Sequence, residues 1–571
     1  MKLTFLKKVS TARNSISNTS LQNIDFGEIT LHYGNGIKSH LSSFLPVTKT
    51  DLISVFSSLS NKHCELDIIP TKFFKRCSEQ LMPYILHIIN TSLSTGKFPA
   101  SFKNSLVKPI LKNKSNDTNT LSSYRPISNM SFLSKVVEKC VLQQLQRHLE
   151  CNDLFGDFQS AYRKFHSCET AITKVSNDIC MNLDNNDSTF LIFLDLSSAF
   201  DLVEHSVLLK RLHDQFYIKG NVFLWFMSYL SDRSFSVKIG CSISDGMIVF
   251  YGVPQGSILG PILFLLYISE IESIAKLHGF KIHIYADDMQ LYISFQHCNT
   301  LETISNIEHC LRHIKVWMSN NFLKINESKT KFMIITPHNY CRDSLSDICV
   351  SFGGSIILPS TEAANLGVTF DSKMTFSEHI KNITAKGYFY MNNFHRIADK
   401  LTFDLKVQLV LTYIVPLIDY CNVILVSATQ VNRNKLQKLL NCAVRFIFKL
   451  HGKKKRLPVT PYLEKLHILP IDFRIQYKLC LLVYKCIYGC APQYLCDLLS
   501  PKVNYSRLRS SSDLLLLQTN VPNSMYGEYA FTNVASNYWN KLPLKVRTSP
   551  SVNAFKTSLK TYLFCQCFCP D

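Results

Sequence analysis

The chain has 571 residues, a size that suits roughly three to four domains, and its 46% hydrophobic fraction supplies several cores and excludes wholesale disorder. Lys and Arg number 62 against 42 Asp and Glu, a net charge of +20 in a chain that is only 18% charged. That excess points to a polyanionic partner, nucleic acid before membrane.

Residues 1–45 are rich in Ser and Asn and read as a loose N-terminal segment. Lys2, Lys7, Lys8 and Arg13 precede the first acid, Asp25, but no amphipathic stripe accompanies them, so an import signal is not the expectation. From 46 to 107 apolar residues recur at helical spacing, as in Leu52, Val55, Phe56 and Leu59, which predicts a helical lead-in. A polar loop at 113–123 follows, then a second helix through Phe132, Val136, Val137, Cys140, Val141 and Leu145. Phe190 to Leu194 are five consecutive apolar residues, too short for a helix and suited to a buried strand. Apolar residues alternate on both sides of the YADD segment at 285–288, which reads as the tip of a β-hairpin. Helical patterns return from 375 to 450, and a mixed, mostly helical region runs from 458 to the end.

Several other features point away from specific functions. The apolar stretch from Val407 to Val426 is interrupted by Gln408, Pro416, Asp419 and Asn422, so a membrane span is not expected. The 20 cysteines are scattered without a CxxC pair, the pattern of a reducing compartment and a chain that is not secreted. Cys565, Cys567 and Cys569 read as a frayed tail and not a zinc site. His309 and His313 lack the Glu of an HExxH motif, so a solvated helix face is expected there.

The acids are more informative. Asp195 directly follows the predicted buried strand, and Asp287 and Asp288 occupy the predicted hairpin tip. Adjacent carboxylates at a tight turn repel one another unless a cation neutralises them, and Mg²⁺ favours such oxygen donors completed by water and phosphate. Taken singly, Asp195 could equally be a helix cap and the Asp287–Asp288 pair an exposed turn.

They do not stand singly. The segment FLIFLDLSSAFD at 190–201 resembles the first palm motif of reverse transcriptases, GVPQGSILGP at 252–261 the second, and YADD at 285–288 the third. YRPIS at 124–128, QSAYR at 159–163, LKINESKT at 323–330 and NLGV at 365–368 resemble further motifs of that family, all in its order. The Ser257 and Gly260-Pro261 form of the second motif is similar to non-LTR retrotransposons (LINEs). TSLSTGKFP at 91–99, APQYL at 491–495 and WNKLP at 539–543 resemble the flanking regions of jockey-like and chicken-repeat-like elements. The resemblance covers nearly the whole chain from about residue 45, with no room left for the N-terminal endonuclease of such elements and no RNase H pattern.

This resemblance implies an α+β right-hand polymerase with an antiparallel palm sheet: a helical lead-in at 46–107, fingers and palm at 108–374, a helical thumb at 375–457 and a C-terminal region of unknown role at 458–571. It implies an RNA-directed DNA polymerase that adds dNTPs to a primer 3′-hydroxyl, with an RNA template, a DNA primer or target, and two Mg²⁺ ions or Mn²⁺ in their place. Asp195, Asp287 and Asp288 would hold the ions, with the backbone carbonyl of Leu196 as a further ligand. Lys329 matches a proton donor to pyrophosphate, and Arg125 and Arg163, with Lys112 as a third candidate, match basic positions that bind the triphosphate. Gln255 and Gly256 would lie beneath the nucleotide, and Phe200 would exclude a ribose 2′-hydroxyl, with Asp201 structural. The alternative is a non-autonomous product that binds nucleic acid without polymerising.

Between Gln430 and Arg456 lie nine basic residues and no acid. Leu436, Leu440, Ala443, Val444 and Ile447 form an apolar stripe through this run. An amphipathic thumb helix fits both facts, with Arg433, Lys435, Lys438, Lys453, Lys454, Lys455 and Arg456 tracking phosphates, although a merely solvated basic face has the same pattern. Lys453 to Arg456 also resembles a nuclear-localisation patch, so the expected location is the nucleus, the cytoplasm or both.

Overall fold

The computed structural model describes residues 39–112, 117–120, 123–338, 348–450, 452, 456–502, 514–518 and 526–569. The chain divides into two compact units, and it passes between them more than once. One unit comprises residues up to 162 together with 195–279 and 309–328, and the other comprises 163–194, 280–308 and 329 onward. Strands β1 (Asn104–Leu111), β2 (Tyr124–Asn129), β3 (Ser188–Leu194), β4 (Arg233–Ile239), β5 (Ser242–Ile243), β6 (Met247–Val249), β7 (Lys281–Tyr285), β8 (Asp288–Phe295) and β9 (Lys331–Ile335) follow in chain order.

In the first unit, helices Lys49–Ser58, Thr71–Arg76 and Ser78–Thr95 form the lead-in. Thr48 starts the first of these with a reciprocal capping box, its side chain accepting from the Asp51 amide while Asp51 accepts from the Thr48 amide. Helix was expected to 107, but β1 begins at Asn104. Gly96 in the left-handed conformation and Pro99 end the helical spacing, and Leu106 and Val107 are buried as sheet residues instead. β1 pairs antiparallel with β2 and parallel with β4, and β4 also pairs with β5 and β6. Val107, Phe235 and Val237 form the core of this sheet. The helix Phe132–Cys151 runs longer than the pattern expected and buries Val136, Val137, Cys140, Val141 and Leu145 as anticipated.

The second unit is built on a four-stranded antiparallel sheet in the order β7-β8-β3-β9. Every residue of β3 is buried, and Phe190 stacks on Phe295 at 3.9 Å and packs beside Phe332 at 5.3 Å. The helix Cys168–Asp184 backs this sheet, with Asp178 accepting from Tyr292 of β8 at 2.9 Å. Helices Ser377–Arg396 and Gln430–Ile447 pack closely, since a Cβ at Gly387 would sit 2.4 Å from Leu439.

The C-terminal region, to which sequence gave no role, is anchored on the Cys168–Asp184 helix. Tyr494 donates to Thr170 at 3.0 Å, the Thr532 amide to Asn177 at 3.0 Å and the Gly527 amide to Asp184 at 3.1 Å.

Three further expectations meet the structure. The stretch from Val407 to Val426 stays helical to Asp419, through a π-helical segment at Val410–Ile414, and ends in a 3₁₀ segment at Asn422–Ser427; Asp419 is paired with Arg474, and no described helix is long and apolar enough to cross a membrane. Cys565 and Cys567 lie on the helix Val552–Phe568, so the frayed-tail reading is corrected: the apolar contacts of Phe555, Leu559 and Leu563 carry the helix through them. His309 and His313 are not simply solvated, because His278 joins them, with ring centroids 4.4–5.1 Å apart and His278 Nε2 2.9 Å from His313 Nδ1. The basic N-terminal stretch falls on residues 1–38, outside the described residues.

Candidate active site

The acids sit where strand geometry ends. β7 and β8 pair to their tips, with Tyr285 opposite Asp288, and Ala286 takes a positive φ of 58° to close the two-residue turn. Asp287 and Asp288 are both half-buried. β3 runs antiparallel to β8 and ends with Leu194 opposite Met289, one residue beyond Asp288, and Asp195 is the next residue in the chain. Among the described residues no three His, Cys, Asp or Glu side chains are gathered to hold a metal unaided. The donor chemistry fits Mg²⁺ all the same, because that ion is held by one or two carboxylates with water and substrate phosphate as its remaining ligands.

Asp195 is fixed by a segment whose part in this was not read from sequence. The Asn326 amide donates to the Asp195 carbonyl at 2.8 Å, and Asn326 Nδ2 approaches Asp195 Oδ2 at 3.4 Å. Leu196 bridges to Ile325, and the Ser197 amide donates to Lys324 at 2.8 Å. The LKINESKT segment therefore acts as a short strand laid along the start of the first motif. Its signal was present, since Asn326 lies inside a quoted motif, but nothing in the spacing named its partner. Lys329 ends the turn Glu327–Lys329 and is exposed, two residues before β9.

The second motif forms a wall in the first unit. The Gly252 amide donates to Val203 at 2.7 Å and the Val253 amide to Phe200 at 2.9 Å. Gly252 has a positive φ of 86°, and a Cβ there would lie 2.9 Å from the Asp201 carbonyl. Gln255 Nε2 donates to Asp201 at 3.2 Å. The Ser128 amide of β2 donates to the Gln255 carbonyl at 2.7 Å. Phe200 is half-buried and stacks on Phe264 with centroids 4.7 Å apart. A cavity of about 550 Å³ lies along this wall, lined among others by Asp201, Gln255, Ser128, Arg233, Phe250 and Tyr251.

The basic candidates differ in setting. Arg125 is exposed on β2, three residues before Ser128, and Lys112 is exposed just beyond β1 with its amide donating to Ser123 at 2.8 Å. Arg163 is half-buried in the second unit beside His166, whose pKa burial, aided by the Arg163 charge, lowers to about 4. On the Gln430–Ile447 helix the apolar stripe is buried as expected, and Lys435 and Lys438 are exposed. Arg433 has protein partners: its guanidinium lies 3.0 Å from Asp472 and donates to the Val426 carbonyl at 3.1 Å. Arg456 is exposed, and Lys453, Lys454 and Lys455 lie outside the described residues.

Residues 110–370 match the family described as reverse transcriptase (RNA-dependent DNA polymerase), a span that contains every candidate from Lys112 to Lys329 and excludes the basic run. The chain is 27% identical over 413 residues to a probable RNA-directed DNA polymerase from transposon BS of Drosophila melanogaster, covering 70% of this chain and 44% of that protein. It is 28% identical over 325 residues to the RNA-directed DNA polymerase from mobile element jockey of the same species, covering 56% and 34%. With the jockey polymerase of Drosophila funebris it shares 26% over 403 residues, covering 69% and 43%. The chain thus spans less than half the length of these curated relatives. Residues 110–370 are thus similar to reverse transcriptases, and the relatives named above are RNA-directed DNA polymerases of Drosophila mobile elements.

Proposed function

We propose that the chain is an RNA-directed DNA polymerase of a non-LTR retrotransposon that extends a primer 3′-hydroxyl with dNTPs on an RNA template. The observation that carries this reading is the set of acids at strand ends, Asp195 after β3 and Asp287–Asp288 at the β7–β8 turn, within the span matched by the reverse transcriptase family. The β7-β8-β3-β9 sheet serves as the palm, the sheet of β1, β2 and β4 as fingers, and the helices from Ser377 to Ile447 as the thumb.

Asp195, Asp287 and Asp288, with the Leu196 carbonyl, would hold two Mg²⁺ ions, which when bound neutralise the charge developing during phosphoryl transfer. The 3′-oxygen attacks the α-phosphorus as its proton passes to water, and the bond to pyrophosphate breaks. Lys329 donates a proton to the departing pyrophosphate. Arg125, Arg163 and Lys112 grip phosphate oxygens, for which the planar guanidinium fork of arginine is suited. Gln255, steadied by Asp201, and Gly256 support the nucleotide, and Phe200 lies under its sugar. Lys435, Lys438 and Arg456, with Lys453, Lys454 and Lys455, attract the backbone of the template duplex.

Primer extension by the purified chain tests this, with an RNA template, a DNA primer, dNTPs and Mg²⁺. Full-length DNA product is expected. RNA binding without any extension would overturn the reading in favour of a binding-only protein.

A further inference from the structure

One buried acid is unused by the proposed chemistry. Glu138, on the Phe132–Cys151 helix, is fully buried, a setting that disfavours a carboxylate unless its oxygens are well bonded. Its Oε2 accepts from the amides of Ile258 at 2.8 Å and Leu259 at 3.1 Å, and its Oε1 accepts from Ser134 at 3.2 Å. Those two amides precede the helix Gly260–Tyr267, so the carboxylate caps it across 120 residues of sequence. Burial raises the Glu138 pKa, and the charge of buried Arg233 and the two amides oppose that rise.

What Glu138 holds is the loop that carries Gln255 and Gly256. The other end of that loop is held by β2, through the Ser128 amide on the Gln255 carbonyl. The Ser128 carbonyl also lies where a Cβ of Gly256 would be, at 2.5 Å. Between the two anchors, Ser257 Oγ donates to the Pro254 carbonyl and accepts from the Gly260 amide, both at 2.8 Å. Gly256 and Ser257 lie between these anchors, so the backbone that carries Gln255 is held by Ser128 on one side and Glu138 on the other, while the Gln255 side chain donates to Asp201.

We infer that Glu138 is a positioning residue for nucleotide binding, acting through the Ile258 and Leu259 amides on Gln255 and Gly256. The inference rests on the proposed reading of those two residues as nucleotide contacts. Glu138→Gln keeps the size but replaces a carboxylate with a neutral amide, whose oxygen faces the Ile258 and Leu259 amides with weaker bonds while its nitrogen donates to Ser134. The expected result is a KM for dNTP raised about tenfold, with kcat changed by less than about threefold and primer–template affinity unchanged. A role confined to folding would lower the melting temperature and the active fraction but leave KM alone. Ser134→Ala, which spares both amide bonds, should keep KM near the wild-type value.

Hydrogen exchange on the unaltered protein reads the same clamp should Glu138→Gln fail to fold. The Ile258 and Leu259 amides should exchange on the order of a thousandfold more slowly than unstructured amides. Free exchange at both, or an unmoved KM in a folded Glu138→Gln protein, overturns the inference. If Gln255→Ala leaves KM unchanged while the amides are protected, the nucleotide reading of Gln255 fails and the clamp itself stands.

Discussion

Gly256→Ala is opposed both by backbone conformation and by a neighbouring strand. Gly256 has φ of +119°, a conformation that L side chains rarely adopt, and the added methyl would meet the Ser128 carbonyl at 2.5 Å. The backbone term alone costs on the order of 1–3 kcal/mol. The obstacle is a strand carbonyl and not the flexible end of a side chain, so the loop must move by roughly 0.5–1 Å to restore an ordinary contact. A shift of that size displaces Gln255 from Ser128 and Asp201, and misplacement of about 1 Å costs roughly a hundredfold in rate. The expected outcome is kcat/KM for dNTP incorporation reduced about 10- to 100-fold while the protein remains folded and binds RNA. Single-nucleotide extension under steady-state conditions measures it. A folded Gly256→Ala protein with kcat/KM within twofold of wild type would refute the placement of this loop against the nucleotide.

Other outcomes follow from the same geometry. Phe200→Ala should raise ribonucleotide over deoxyribonucleotide incorporation at least about tenfold, a change of only ~1.4 kcal/mol, read as the ratio of kcat/KM values for matched rNTP and dNTP. An unmoved ratio would assign Phe200, through its stack on Phe264, to the core. Burial lowers the pKa of His283 from 6.5 to about 3, so the folded state binds no proton there until strongly acidic pH. Stability from this group is therefore complete above pH 6.5 and lost as pH falls toward 3, by about 2 kcal/mol at pH 5. Thermal melts of wild type and His283→Gln should converge on acidification, and parallel curves would contradict the burial argument. Replacing Lys435 and Lys438 together with Gln should reduce the slope of log K for nucleic acid against log salt by about 1.4–1.8. Arg433→Gln should change the slope less, because its guanidinium is already engaged by Asp472 and Val426, and an equal change would contradict that account.

What sequence could show was set by the range of each interaction. β3 and the YADD hairpin were legible because a run of buried apolar residues and strict alternation are local patterns, and the register from Leu194–Met289 to Tyr285–Asp288 follows them. The start of β1 at Asn104 was not, since its only short-range signal is a pair of apolar residues that a helix could also bury. Asn326 and Glu138 were missed for a different reason. Each is a polar residue whose partners lie 131 or 120 residues away, and no periodicity encodes that pairing. The C-terminal region was opaque in the same way, because Tyr494, Gly527 and Thr532 acquire meaning only against Thr170, Asp184 and Asn177. The basic run was legible in sign but not in use: Arg433 and Lys438 look alike in sequence, and only packing separates the paired guanidinium from the exposed ammonium.

Single-turnover extension by Asp287→Asn beside wild type, on one RNA template and DNA primer and with affinity for that duplex measured in parallel, decides whether the β7–β8 turn is the catalytic centre. Asn preserves shape and removes the charge that would hold the metal ions, so incorporation should fall by several orders of magnitude, on the scale of loss of metal-assisted chemistry, while affinity for the duplex stays within about twofold. Extension by Asp287→Asn at the wild-type rate would contradict the assignment of the β7–β8 turn as the catalytic centre.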